Sequence, residues 1–219
     1  MCNFETFWII NQLISLTSYR GALAPKNYRP VAILSPLSKV LEKLIYDQLY
    51  KYFTVNKLLH PNLHGYRSNR STQTALLQMY DHWVQAAAQG QVSGAVLLDL
   101  SAAFDLVPPD ILVKKLKIYG LQDDFLSWID SYLSERYQGV WIDHVLSEFL
   151  LCEVGVPQGS ILGPLLFMLY VNDLPFLLSC NMDQYAYDST LYTTGKAVSD
   201  INSALDTNCK LVSNWMAEC

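Results

Sequence analysis

The chain has 219 residues, 15 Lys and Arg against 20 Asp and Glu for a formal charge of −5, and is 51% hydrophobic and 16% charged. That composition sets aside a disordered chain and allows one large domain or two lobes that share a core. It also sets aside an evenly basic nucleic-acid-coating surface, so any such contact would need a local basic groove. The five cysteines (Cys2, Cys152, Cys180, Cys209, Cys219) are scattered and contain no Cys-x-x-Cys. Neither a disulfide framework nor a zinc site is expected from them, and an intracellular, reducing setting is favoured over secretion.

At the N-terminus the apolar run 7–10 follows Glu5, has no preceding Lys or Arg and is broken by Asn11-Gln12. It reads as an ordinary buried or frayed segment rather than a signal peptide. Ser35-Pro36 then opens a helix, a capping hydroxyl followed by proline at the first helical position. Leu37, Val40, Leu41, Leu44, Ile45, Leu49 and Tyr52 follow the helical period and predict the inward face, with Lys39, Glu42, Lys43 and Asp47 outward. A polar loop covers 56–70. A second helix is predicted over 72–89, stopped by Gly90.

Residues 93–100 form a short continuous apolar run, the pattern of a strand buried on both faces. Pro108-Pro109-Asp110 starts a helix that ends at Gly120. Another helix covers 123–134, with Phe125, Ile129 and Tyr132 or Leu133 inward. Segments 137–142 and 149–154 read as paired strands. Residues 155–160 make a turn feeding an all-apolar helix over 162–171. The wider apolar block 161–178 contains Pro164, Asn172, Asp173 and Pro175, which makes it core rather than a membrane span. A loop-like stretch, 179–183, precedes a hairpin around Asp188 that presents a carboxylate at a bend. A closing amphipathic helix covers 199–216, with Ile201, Leu205, Leu211, Val212, Trp215 and Met216 on its buried side. Helices with a few hairpin strands make the class α+β.

Asp99 ends an apolar strand, where an acid is either bound to a partner or caps the next turn. Asp105 reads as a turn or helix-cap acid. Asp188 is equally an ordinary hairpin residue or a ligand. If their strands lie side by side, Asp99 and Asp188 together suit magnesium, which takes one or two carboxylates plus substrate phosphates. The glycines of 155–163 allow either a plain strand-to-helix turn or close approach to a phosphate or base. Arg29, Arg67 and Arg70 are surface residues or phosphate contacts. The four histidines show no metal spacing and read as structural.

In order, five blocks resemble the reverse transcriptase domain of LINE-like, non-LTR retrotransposons. They are Asn27-Tyr28-Arg29-Pro30-Val31 with the helix from Ser35, and His64-Gly65-Tyr66-Arg67 through Arg70-Ser71-Thr72. Next come Leu98-Asp99-Leu100-Ser101-Ala102-Ala103-Phe104-Asp105, and Gly155-Val156-Pro157-Gln158-Gly159-Ser160 with Gly163-Pro164-Leu165 and Asn172-Asp173-Leu174-Pro175. The last is Tyr185-Ala186-Tyr187-Asp188. Their order and spacing carry the resemblance, not any one of them.

The resemblance implies a right-hand polymerase fold of fingers and palm, helices packed on a small antiparallel sheet. It implies an atypical segment over 1–26 and a partial domain over 27–219, with fingers to about residue 90 and palm from about 91. The family continues beyond the position of Cys219 into a thumb, which is expected to be absent. The implied activity is RNA-directed DNA polymerisation by two-metal nucleotidyl transfer. It uses Mg2+, an RNA template, a DNA primer and deoxynucleoside triphosphates (dNTPs), with no membrane. The implied metal-binding acids are Asp99 and Asp188. Phe104 would discriminate against a ribose 2′-hydroxyl, Gln158 and Gly159 would border nucleotide and template, and Arg29, Arg67 and Arg70 would serve the nucleotide or template surface. The family's hairpin reads Tyr-Ala-Asp-Asp, so Tyr187 replaces the expected first acid. A phenol is neutral at pH 7 and a poor magnesium ligand, so impaired activity is expected. The alternative is a catalytically silent nucleic-acid- or protein-binding remnant of a retrotransposon.

Overall fold

A computed structural model describes residues 11–16, 29–100, 104–142 and 145–218, with 11–16 and 29–30 described as backbone. The fold alternates helices with two small sheets: β1 (Asn11–Leu16), β2 (Arg29–Ile33), α1 (Pro36–Val55), α2 (Thr72–Ala88), β3 (Val92–Asp99), α3 (Pro109–Ile118), α4 (Asp123–Leu133), β4 (Arg136–Ile142), β5 (Val145–Leu146), β6 (Leu150–Cys152), α5 (Leu162–Val171), a 3-10 turn (Leu174–Leu177), β7 (Asn181–Tyr185), β8 (Asp188–Gly195) and α6 (Val198–Glu218). The chain divides into two compact units, Met1–Tyr52 with Phe104–Phe167, and Phe53–Ala103 with Met168–Cys219. No helix among the described residues is long and apolar enough to cross a membrane.

The first unit holds a sheet ordered β2-β1-β4-β5, with β6 also on β4. β1 runs antiparallel to β2 and parallel to β4, and the predicted pairing of the segments around 137–142 and 149–154 is the β4–β6 ladder. Its core is apolar faces of α3, α4 and α5: Leu112, Leu116, Leu126, Ile129, Leu133, Leu162, Leu165 and Leu166 are buried. In α4 the inward position is Leu126 rather than Phe125, whose ring stacks along the helix on Trp128.

The largest departure from periodicity is in α1. Of the predicted inward stripe, Leu37, Val40 and Leu44 are exposed, Leu41, Ile45 and Tyr52 are half-buried and Leu49 is buried, while Glu42, expected outward, is fully buried along with Ser38. The cause lies 119 residues away. The Glu42 carboxylate accepts the Ile161 N–H at 2.6 Å, the Leu162 N–H at 3.4 Å and the Tyr132 hydroxyl at 3.1 Å. The first amides of a helix have no partner within it, and an inward carboxylate supplies one to α5 together with favourable charge at its positive end. Burial raises the Glu42 carboxyl above its ordinary range, and these hydrogen bonds pull it back.

The second unit holds an antiparallel sheet ordered β3-β8-β7. α6 lies on one face, where Ile201 and Leu205 abut Gly94. α2 lies on the other, with Gln78 and His82 meeting Asp183 and Tyr192. Residues 181–183, predicted as loop, are part of β7. The expectation that 93–100 is buried on both faces is overturned. β3 is an edge strand, and although α2 packs against β3 as well as β7 and β8, Leu97 is left 81% exposed. In α6 the buried positions are Ile201, Leu205, Asn208, Val212 and Trp215, whereas Leu211 and Met216 are exposed. Asn208 displaces Leu211 because its amide is used: Oδ1 accepts the Ser179 N–H and Nδ2 donates to the Ala204 carbonyl.

Candidate active site

The two candidate acids are brought together by register. β3 and β8 pair over their full length, with Asp99 directly opposite Asp188. Directly opposed residues of an antiparallel pair project to the same face, and both are exposed. Like charges opposed in this way repel unless something positive lies between them. Asp188 is not at the bend itself: it is the first residue of β8 and pairs back to Tyr185, leaving Ala186 and Tyr187 as a two-residue turn. Ala186 has φ +56°, the positive value a tight hairpin needs to match strand twist. On the other side, Leu100 donates its N–H to the Tyr187 carbonyl at 3.0 Å, so the turn is tied to the end of β3.

Farther from the turn, on the same face of the sheet, lies a buried polar cluster. The Asp183 carboxylate accepts from Gln78 Nε2 and from the Tyr192 hydroxyl, each at 2.9 Å, and burial raises its carboxyl. His64 is fully buried, with Nδ1 at 3.0 Å from Thr74 Oγ1 and Nε2 at 4.0 Å from Asp183 Oδ1. Burial, reinforced by Arg70 and Arg67, lowers this imidazole to about 4, so it is neutral at pH 7. Tyr66 sits near the turn, and burial with Tyr187 and Tyr185 nearby raises its phenol to about 12.

Of the arginines, Arg67 points its Nη1 at the carbonyls of His60 and Leu63, at 2.7 and 3.1 Å. That geometry folds the 60–67 loop. Arg70 is half-buried beside His64, and its charge also bears on Asp183. Arg29 begins β2, and its side chain lies outside the described residues. The links within 101–103 lie outside them too.

In the first unit, Phe104 packs its ring on Phe167 at 5.1 Å and its carbonyl accepts the Val156 N–H. The turn 155–160 is laced to β2 by the Ala32 N–H, donated to the Gln158 carbonyl at 2.7 Å. Gly159 is required there on two counts: its φ is +95°, and an added Cβ would come within 3.0 Å of the Ala32 carbonyl. Gln158 Nε2 lies 3.4 Å from both oxygens of Asp105. Asp105 was read as a turn or cap acid. It does lie in a turn, and it also lines a cavity of about 600 Å3 together with Ala32, Arg136, Cys152 and Gln158. Desolvation raises its carboxyl, opposed by Gln158 and by the Arg136 charge. Buried Arg136, which the sequence did not single out, donates to the carbonyls of Leu133, Val154 and Gly155 and so fixes the strand leading into the turn. Its only sequence signal was a lone arginine at the start of an apolar strand. Among the described residues no three His, Cys, Asp or Glu side chains converge as a metal cluster. The donor set on β3 and β8 is two carboxylates, which suits one oxygen-seeking divalent cation that keeps further ligands from substrate or water.

A family model described as "Reverse transcriptase (RNA-dependent DNA polymerase)" matches residues 18–219. The chain is 35% identical over 158 residues to the probable RNA-directed DNA polymerase from transposon BS of Drosophila melanogaster, covering 69% of this chain and 17% of that protein. It is 28% identical over 202 residues to the RNA-directed DNA polymerase from mobile element jockey of the same species, covering 86% of this chain and 22% of that protein. The chain thus spans about a fifth of the length of these relatives. Among solved structures it resembles telomerase from Candida albicans, in complex with a fragment of telomeric RNA, with a TM-score of 0.60 at 12% identity over 98% of this chain and 40% of that one. It also resembles apo telomerase from Candida tropicalis, with a TM-score of 0.57 at 13% identity over 92% of this chain and 46% of that one. Both likenesses concern the fold.

Proposed function

This chain belongs to the reverse transcriptase family of non-LTR retrotransposons, and on that premise we propose that it carries an impaired site for RNA-directed DNA polymerisation, centred on Asp99 and Asp188. The observation that carries the reading is the direct opposition of these two exposed carboxylates across β3 and β8. Asp99 and Asp188 would hold Mg2+, and the turn residue Tyr187 stands where a further carboxylate is expected. Bound there, Mg2+ would supply charge neutralisation for nucleotidyl transfer, in which a primer 3′-hydroxyl oxygen bonds to the α-phosphorus of a dNTP and pyrophosphate leaves. The chain's own groups would do the rest. Phe104, braced on Phe167, would exclude a 2′-hydroxyl, while Gln158 and Gly159 would border nucleotide and template. Arg70 and Arg29 would face phosphate, and Arg67 would hold the loop that carries Arg70.

Removal of a group that only orients a metal ligand costs about 10–100-fold in affinity or activity, and loss of a direct carboxylate ligand costs more. Primer extension on an RNA template with Mg2+ tests this, comparing the chain with Tyr187→Asp. Extension raised by more than about 100-fold in the variant supports the reading, and equal extension by both overturns the disabling role of Tyr187. Tyr187 also favours a second reading, a silent binding remnant. That reading requires salt-dependent binding of RNA–DNA duplex with no extension by either protein.

A further inference from the structure

The turn that carries Tyr187 and Asp188 is held from outside its own hairpin. His64 donates its backbone N–H to the Gln184 carbonyl at 2.8 Å, Gln184 donates its N–H to the Asn62 carbonyl at 3.0 Å, and Leu63 pairs with Gln184 as a parallel bridge. Residues 62–64 therefore cover the β7 edge at the end nearest the turn. One residue on, a Cβ added to Gly65 would sit 2.2 Å from the Ala186 nitrogen and 2.9 Å from its Cα. Those atoms are backbone, so they cannot yield as a side-chain tip would.

The position of the glycine shows what it is for. Tyr66 and Ala186 both have left-handed φ, +58° and +56°, the conformation glycine adopts most readily. Yet the glycine is at residue 65, whose φ lies outside that region. Residue 65 therefore supplies closeness rather than conformational freedom. The segment is itself anchored. His64 Nδ1 lies 3.0 Å from Thr74 Oγ1, and Thr74 is bound reciprocally to Ser71 in the capping box that starts α2.

We infer that residues 62–65 act as a clamp that sets the position of the β7–β8 turn, which makes Gly65 a positioning residue for Asp188. In its functional consequence this rests on the reading of Asp99 and Asp188 as cation ligands, whereas the clamp itself rests on backbone geometry. A loop in the sequence block assigned to nucleotide or template contact would then act on the site through the hairpin.

The test is solution NMR on the 15N-labelled chain, unaltered and as Gly65→Ala, with Mn2+ as the probe cation. In the unaltered chain the His64 and Gln184 amides should exchange as slowly as the ladder amides of β8. In Gly65→Ala both should exchange at least about tenfold faster, and the resonances of 185–188 and Leu100 should shift. Mn2+ broadening at Asp99 and Asp188 should then need about tenfold more metal. Ser35→Ala, which removes the hydroxyl that accepts the Ser38 N–H at the start of α1 and touches no part of the clamp, is the control and should lower the melting temperature while leaving 185–188 in place. A folded Gly65→Ala chain with unmoved 185–188 resonances overturns the clamp, and so does a Ser35→Ala chain that moves them equally. Should Gly65→Ala fail to fold, the exchange rates of the unaltered chain decide: unprotected His64 and Gln184 amides overturn the proposal and protected ones sustain it. Failure of Mn2+ to broaden Asp99 and Asp188 in the unaltered chain would count against the cation reading alone.

Discussion

In the first unit the telling charges are buried. Glu42 is fully enclosed and accepts three hydrogen bonds, and Arg136 is buried with its guanidinium donating to three carbonyls. In the second unit Asp99 and Asp188 are exposed, on one face and opposite one another. Burying a charge is costly unless hydrogen bonds replace the lost water, so the buried pair is committed to architecture. The exposed pair has the opposite balance. It gives up nothing to burial, gains nothing from its neighbour's like charge, and stands ready for a positive group.

The sharpest way to break that comparison is Glu42→Ala. It would leave the Ile161 and Leu162 amides without this acceptor and take one of the partners of the Tyr132 hydroxyl, which also meets Ser160. Leaving buried groups unsatisfied costs about 1–3 kcal/mol each, and with partial relaxation we expect a loss of about 3 kcal/mol in urea unfolding. A loss below about 1 kcal/mol would mean that the buried carboxylate is not holding α5.

A smaller effect is expected from pH through His64. Its folded-state imidazole is lowered to about 4, first by burial and then by Arg70 and Arg67, against an ordinary value near 6.5. Below 6.5 the unfolded chain binds the proton that the folded chain refuses, so the contribution is whole above 6.5 and is lost as pH falls towards 4. His64→Gln has no such proton to lose. The stability of the unaltered chain relative to that variant should therefore fall steadily between pH 7 and pH 4, read from urea midpoints. A pH-independent difference would show that His64 is not held neutral.

The smallest stability effect should come from the exposed pair. Relief of like-charge repulsion in Asp188→Asn, worth a few tenths of a kcal/mol to about 1 kcal/mol, should raise the melting temperature by about 1–3 °C or leave it unchanged. The same substitution in a Tyr187→Asp background should abolish Mg2+-dependent extension. A drop of several degrees would instead place Asp188 with Glu42, among residues that hold the fold.

Much of this was legible in the chain itself. Period and caps predicted every helix to within about three residues at either end: Ser35 does bond the Ser38 amide, and the α2 cap forms at Ser71. Both are local, because the groups concerned are neighbours along the chain. The turn before Asp188 was legible for the same reason, and the five blocks identified the family. The buried faces of α4 and α6 were largely legible, since Ile129, Tyr132, Leu133, Ile201, Leu205, Val212 and Trp215 are buried as expected. That of α1 was not: Leu37, Val40 and Leu44 of its predicted stripe face solvent, because the amides at the start of α5 bind Glu42 and so decide how α1 turns. Nor was the exposure of β3, since an apolar run looks the same at the edge of a sheet as at its centre. Asp105 beside Gln158, Arg136 under the turn, and Gly65 against Ala186 also needed partners 19 to 121 residues distant in sequence. The sequence by itself determined the local elements and the family. The tertiary structure decided which charges are buried, which carboxylates face each other and which glycine lets the loop approach the turn, because those depend on groups that become neighbours only when the chain packs.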